Sequence, residues 1–281
     1  MVNNLKINTI ALTDKGEFKK LNEDSLWVKI GEIQDSEFGV FMVCDGVGGL
    51  DCGDVASYHC VKMLKDWWKN TLPHILHKIT TTKSKNIILS ELNKIVEKIN
   101  DEIILISNEK KIKMGTTITL LFIFKNIYYI SHVGDSRMYL YNRGSISQIT
   151  EDHTLVNYQV RNGEITLKEA LNSKNKHVLT QCLGVKKEVH IFNKSAEIKG
   201  NEIILICSDG FYNQLNIDEI RQMCKLFKGN KEKNILLKYL GKVRRRGEID
   251  NISAILINCC KNEGIIKRFL SSIKGDMKSE F

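Results

Sequence analysis

Residues Phe38 to Gly53 read FGVFMVCDGVGGLDCG, and the reading of this stretch decides the rest. Val40-Phe41-Met42-Val43-Cys44 has the length and β-branched content of a strand buried on both faces, and it runs straight into Asp45-Gly46-Val47-Gly48-Gly49. A carboxylate at a buried strand end is costly unless it is paired or meets a cation, and glycines let the backbone approach a ligand closely. An ion or phosphate site and an ordinary Asp-Gly turn both fit the stretch in isolation.

Recurrence shifts the balance toward a site. Ile203-Ile204-Leu205-Ile206-Cys207 runs into Ser208-Asp209-Gly210, and Tyr128 to Val133 runs into Gly134-Asp135-Ser136, so three apolar runs end in an aspartate beside a glycine. Asn22-Glu23-Asp24 adds two acids between the strand-like pieces 5–12 and 25–28, and Asp250 precedes a last strand at 252–257. Carboxylates without a matching set of histidines or cysteines form an all-oxygen donor set, which suits magnesium or manganese rather than zinc.

Helical periodicity covers 54–70, with a tryptophan pair at 67–68 expected at the core and its rim, and 87–106. Pro73 is expected to open a polar connection in which His74 and His77 are surface residues. From Thr116 to Tyr141 three strand-like runs broken at Lys125-Asn126 predict an antiparallel meander, with another turn at Asn142-Arg143-Gly144. Short helices are expected at 155–162 and 167–171, and longer ones at 217–227 and 234–243. Beyond Lys261, the apolar residues Ile265, Ile266, Phe269, Leu270 and Ile273 share a helical face opposite Lys267, Arg268 and Lys274. A packing helix is favoured there over a basic amphipathic helix docking on a partner or membrane.

The 281 residues are 42% hydrophobic and 27% charged, as in an ordinary globular protein. The net charge of +9 suits an acidic partner, but the basic residues are spread along the chain rather than clustered with aromatics, which argues against nucleic acid. The run Lys242-Val243-Arg244-Arg245-Arg246 either steers acidic substrates or is a solvated loop. No stretch has the length of a spanning helix, no signal peptide is evident, and the cysteines lack a Cys-x-x-Cys pair, so a cytoplasmic, reducing location is expected. None of the eight cysteines is followed six positions later by arginine, which excludes the usual thiolate phosphatase loop. Gly-x-Ser-x-Gly, His-Glu-x-x-His and Gly-Lys-Ser/Thr motifs are also missing from the sequence.

Eight short pieces, in order, resemble the metal-dependent serine/threonine protein phosphatases of the protein phosphatase 2C (PPM) type, in their compact bacterial form: Asn22-Glu23-Asp24, Asp45 to Gly49, Gly115-Thr116-Thr117, Gly134-Asp135-Ser136-Arg137, Thr150-Glu151-Asp152-His153, Leu179 to Gly184, Ser208-Asp209-Gly210 and Asp250-Asn251. The resemblance implies an α+β fold, a central antiparallel β-sandwich flanked by helices on both faces. It also implies one phosphatase domain over 1–260 with a flap at 154–177, followed by the basic tail. Two Mn²⁺ or Mg²⁺ ions are implied, with Asp45 bridging them. The Gly46 carbonyl and, mostly through water, Glu23 and Asp24 would serve one ion, Asp209 and Asp250 the other, and Asp135 a third, weaker one. Asp45, Asp209 and Asp250 would thus carry catalysis, with Asn22, Thr117, Ser136 and Asn251 as support and His153 in a packing role. Such ions generate hydroxide near neutral pH for in-line attack on phosphorus, with no covalent phosphoenzyme.

Two departures from the family pattern are visible. Lys19 stands where the family has a phosphate-gripping arginine, unless a register shift brings Lys20 there, and lysine keeps the charge without the bidentate fork. Val47 occupies a position that is histidine in many eukaryotic members and can serve there as leaving-group acid, so water would supply that proton. The expected substrates are phosphoserine and phosphothreonine in proteins phosphorylated by a Ser/Thr kinase, acted on by a monomer. The alternative is a catalytically weak module that binds phosphoproteins or regulatory partners.

Overall fold

In the computed structural model the described residues are 4–81, 86–200, 202–228 and 234–262. In chain order the elements are β1 (Asn4–Asp14), β2 (Ser25–Ile33), β3 (Ser36–Cys44), α1 (Gly53–Asn70), α2 (Leu72–Thr81), α3 (Asn86–Lys110), β4 (Ile118–Phe124), β5 (Ile127–Val133), β6 (Arg137–Asn142), β7 (Ser145–Gln148), α4 (Leu155–Arg161), α5 (Leu167–Asn172), β8 (Phe192–Glu197), β9 (Glu202–Cys207), α6 (Asp209–Tyr212), α7 (Ile217–Lys228), α8 (Ile235–Arg245) and β10 (Ile252–Asn262). The strands form two five-stranded antiparallel sheets, in the orders β1-β10-β9-β6-β7 and β2-β3-β4-β5-β8.

The unbroken apolar runs follow from burial on both faces. In β3 the side chains of Val40, Met42 and Cys44 join a core with α1, α2 and α3, while Phe41 and Val43 face the other sheet. In β9 Ile203, Leu205 and Cys207 pack toward α7 and α8, and Ile204 and Ile206 face inward. Alternate residues of one strand thus belong to different cores, and the result is four layers, helix, sheet, sheet, helix. Phe41 is fully buried between the sheets, so truncation to alanine costs about 3–5 kcal/mol.

Two expectations are corrected. Pro73 does not begin a loop: it lies in the first turn of α2, where its missing N–H would have no intrahelical acceptor, and Leu72, Ile75 and Leu76 bury their side chains. His74 and His77 are exposed, as expected. The meander is interrupted: β4 and β5 pair, but β6 lies in the other sheet against β7 and β9. The chain changes sheet at Gly134, whose φ of +117° favours glycine and where a Cβ would sit 2.5 Å from the Thr117 Cβ. Trp67 is buried, and Trp68 stacks on Phe38 with ring centroids 5.4 Å apart, a core and a rim position. The short polar strands β7 and β8, whose side chains are largely exposed, carry no hydrophobic signature. The tail expected to form a helix beyond Lys261 lies outside the described residues, apart from the end of β10.

Candidate active site

Register brings the strand-end acids together. Ser25, just after Asp24, pairs with Cys44, just before Asp45, and Ile118 pairs with Val133, two residues before Asp135. In the second sheet Cys207, two residues before Asp209, pairs with both Arg137 and Ala254, the latter close behind Asp250. The end of β2–β3, of β4–β5 and of β6–β9–β10 is therefore the same end of the sandwich. A cleft of about 440 Å³ opens there, walled among others by Asp45, Gly46, Asp135, His177, Asp209 and Asp250.

Backbone and amide contacts fix the supporting loops. Asn251 Oδ1 accepts from the Glu23 N–H at 2.8 Å, while its Nδ2 donates to the carbonyls of Lys15 at 2.8 Å and Leu21 at 3.0 Å, so one side chain ties loop 15–23 to β10. Asn22 Oδ1 accepts from the Asp24 N–H at 3.2 Å. Thr117 Oγ1 accepts from the Asp45 N–H at 3.0 Å and meets Ser136 Oγ at 2.9 Å, linking the two sheets behind Asp45. At Gly46 a Cβ would stand 2.6 Å from the Gly53 carbonyl carbon and 2.8 Å from the Glu23 Cβ, so no other residue fits without displacing backbone.

The carboxylates form a pool of negative charge. Asp24 is only 6% exposed; its Oδ2 accepts from Ser208 Oγ at 2.9 Å, and its Oδ1 is buried without a hydrogen-bond partner. Burial, with Asp209 and Asp250 nearby, pushes Asp24 up to about 7. Burial first, then repulsion from Asp24, Asp209, Asp135 and Asp250, drives Asp45 well above the usual carboxylate range. Burial and Asp209 do the same to Asp135. Burial also pushes Asp209 upward, but a hydrogen bond and charge from His177, a hydrogen bond shared with Asp45 and the Gly210 N–H together hold it below its ordinary value. Lys19 Nζ lies 2.8 Å from Asp250 Oδ1 and 3.9 Å from Glu23 Oε2, and His177 Nδ1 is 3.6 Å from Asp209 Oδ2.

This donor set fits hard divalent cations. A buried carboxylate oxygen without a partner, carboxyls raised by mutual repulsion and a glycine that exposes its backbone are what an oxygen-ligated ion would relieve or use. Among the described residues no three His, Cys, Asp or Glu side chains are placed to hold one ion between them. An ion held here would take one or two carboxylates directly and reach the others through water, as Mg²⁺ commonly does.

All the acids singled out in the sequence sit at this end, and Lys19 faces them rather than open solvent. His153 is buried; its Nδ1 accepts from the Gly134 N–H at 3.2 Å, and burial pushes it down to about 4. Three contributors were given no role by the sequence, although Asp152 lies in one of the matching pieces. His177 sits in a polar segment without a motif. Asp152 grips Arg137 by both oxygens, with contacts of 3.1 Å, 3.0 Å and 2.6 Å. Tyr212 lies under the Arg137 guanidinium at 3.9 Å and donates its hydroxyl to the Asp135 carbonyl at 3.0 Å. Only a folded chain shows these pairings, because their members are 15 to 77 residues apart.

Comparison with known proteins agrees with this arrangement. The family model described as protein phosphatase 2C matches residues 10–159. The chain is 33% identical to the serine/threonine phosphatase stp of Listeria welshimeri over 87% of its own length and 93% of the relative's. The solved serine/threonine phosphatase of S. agalactiae superposes with a TM-score of 0.77 at 26% identity, covering 90% of this chain and 99% of that one. The catalytic domain of the serine/threonine protein phosphatase PstP, solved in complex with two manganese ions, superposes with a TM-score of 0.73 at 25% identity, covering 92% of this chain and 100% of that one. With this fold, this order of strand-end acids and these relatives, the chain belongs to the protein phosphatase 2C family.

Proposed function

We propose that this chain is a divalent-metal-dependent phosphoprotein phosphatase that removes phosphate from phosphoserine and phosphothreonine at the acid-lined cleft. The observation that carries the reading is the convergence, through strand register, of Asp45, Asp135, Asp209 and Asp250 on one cleft, with Asp24 buried beside them. Asp45, the Gly46 carbonyl and, mostly through water, Glu23 and Asp24 would serve one ion, Asp45 with Asp209 and Asp250 a second, and Asp135 a third; either Mn²⁺ or Mg²⁺ suits these oxygens. When bound, such ions lower the pKa of a water and neutralise charge on the phosphoryl oxygens.

The chain's own residues do the rest. Ser208 and Asn22 fix Asp24, and Thr117 with Ser136 fixes Asp45 against the sheet. Lys19, now paired with Asp250, is the cation able to turn toward a phosphate oxygen as a single point charge. Val47 offers no proton, so solvent protonates the departing serine or threonine oxygen. The flap over 154–177 borders the cleft through His177 and would contact the polypeptide around the phosphoresidue. We place the enzyme in the cytoplasm as a monomer opposing a Ser/Thr kinase, in keeping with its free, largely buried cysteines. Among the described residues no helix is long and apolar enough to cross a membrane.

The test is hydrolysis of p-nitrophenyl phosphate and a phosphothreonine peptide with and without Mn²⁺, by the wild type and Asp209→Asn. Metal-dependent turnover lost in the variant supports the reading. No turnover at any metal concentration overturns it in favour of a binding module.

A further inference from the structure

Beside the catalytic cleft lies a second groove, of about 320 Å³, that nothing in the phosphatase chemistry uses. Its apolar lining comes from Val156 and Val160 of α4, Leu167, Ala170 and Leu171 of α5, and Leu215. Leu215 belongs to the core under α7 and α8, whereas the five residues from α4 and α5 belong to none of the three hydrophobic cores of the fold. Leu167 and Leu171 lie one turn apart on α5, with Ala170 on the same side, and they remain 71% and 77% exposed. Exposed leucines gathered on the rim of a groove, rather than scattered singly, mark a binding surface.

The groove is continuous with the catalytic cleft, because His177 lines both, and the same histidine stands 3.6 Å from Asp209. Polar residues line the groove as well, Lys176, His177 and Asn213 among them, and part of that polarity is engaged within the protein. The Arg137 guanidinium is spent on Asp152 and on the Tyr139 hydroxyl and lies flat on the Tyr212 ring, and the Tyr212 hydroxyl is spent on the Asp135 carbonyl. Both helices that present the apolar residues are held in shape by their caps. Thr154 caps α4, and Thr166 with Glu169 forms a reciprocal capping box on α5. A preformed groove that gathers leucines and valines beside the phosphate site suits an aliphatic side chain of the same polypeptide that places its phosphoresidue in the cleft.

We propose that this groove is a specificity subsite, and that the preferred substrates are phosphorylated segments carrying a leucine-sized aliphatic residue within about three positions of the phosphoserine or phosphothreonine, the reach of a few extended residues. The inference rests on the cleft being the phosphatase site. A polypeptide is the chosen occupant because continuity with that site offers one chain both anchors at once, which a second copy docking on the groove alone would not use.

The test compares phosphothreonine peptides of otherwise polar sequence, each with a single leucine or serine at one of the three positions before or after the phosphothreonine, hydrolysed with Mn²⁺. At one position or more the wild type should favour leucine over serine by about tenfold in kcat/KM, the scale of burying one aliphatic side chain. Leu171→Ser should collapse that ratio toward one, and Leu171→Met should keep it, with circular dichroism confirming that both variants fold. Equal rates for leucine and serine peptides at all six positions, alongside normal Mn²⁺-dependent turnover of p-nitrophenyl phosphate, would overturn the subsite and leave the phosphatase reading intact. A preference that survives Leu171→Ser also overturns it. A dimer in light scattering that Leu171→Ser dissociates would instead make the groove a contact between copies. Failure of every substrate, p-nitrophenyl phosphate included, would remove the phosphatase reading and this inference with it.

Discussion

At the cleft end of the sandwich three acids are tied to neighbouring elements: Asp24 to Ser208, the Asp45 backbone to Thr117, and the loop bearing Glu23 to Asn251. Beside the cleft, α4 and α5 hold their shape through end caps, and α5 shows Leu167 and Leu171 to solvent instead of packing them into a core. One wall is fixed because chemistry at phosphorus tolerates little displacement of charged groups. The other is lightly packed, and a lightly packed wall can adjust to the polypeptides it meets. The fixed wall carries electrostatic strain, seen in the raised Asp24, Asp45 and Asp135, which bound cations or protons relieve.

The largest break of this contrast is expected at the fixed wall. Asp45→Asn should lower turnover by ~10³-fold or more while circular dichroism stays native, since it removes charge that holds the ions without emptying a core position. Next comes Arg137→Met, which strands Asp152 and uncovers Tyr212; it should cost about 2–3 kcal/mol in urea unfolding, less than a fully buried pair because Arg137 is 28% exposed. Asn251→Ala frees two carbonyls and one N–H in loop 15–23 and should cost about 2 kcal/mol, with a fall in Mn²⁺ affinity measured by calorimetry.

A pH effect of intermediate size comes from His132, buried behind the cleft. Its Nε2–H donates to the Gly134 carbonyl at 3.0 Å and its Nδ1 accepts from Thr119 Oγ1 at 2.9 Å, so the neutral ring is fully satisfied. Burial first, and His153 second, push its pKa down from 6.5 to about 3. The unfolded chain takes up this proton near pH 6.5 and the folded chain does not. The stability due to the neutral ring is therefore complete above pH 6.5 and is lost as pH falls toward 3. Thermal melts between pH 7.5 and 4.5 should show a steeper loss for the wild type than for His132→Gln. The smallest expected effect is on the lightly packed wall: Leu171→Ser should move stability by less than about 0.5 kcal/mol, because that side chain is already in water.

The same contrast explains what the sequence made legible. The strands buried on both faces, β3, β4, β9 and β10, were readable as apolar runs, and the acids were readable because each follows or precedes such a run with glycine or asparagine beside it. The edge strand β8 was not, since Phe192–Glu197 is mostly polar and exists by pairing with β5. The change of sheet after β5 was hidden because Gly134-Asp135-Ser136 looks like a turn whichever sheet receives the next strand. Pro73 misled because the first turn of a helix tolerates proline as readily as a loop does. His177 could not be found from its neighbours Lys176 and Val178; its place beside Asp209 depends on how the segment that bears it packs against the cleft.

The claim on which everything else depends is that these scattered acids together hold the ions that drive hydrolysis. Titrating Mn²⁺ into metal-stripped wild-type protein and into Asp209→Asn by calorimetry, with phosphopeptide hydrolysis followed in the same samples, tests it most directly. The wild type should bind at least two ions with activity tracking occupancy, and the variant should lose binding and activity together. Undiminished hydrolysis by the stripped protein, or by a variant that no longer binds the metal, would contradict it.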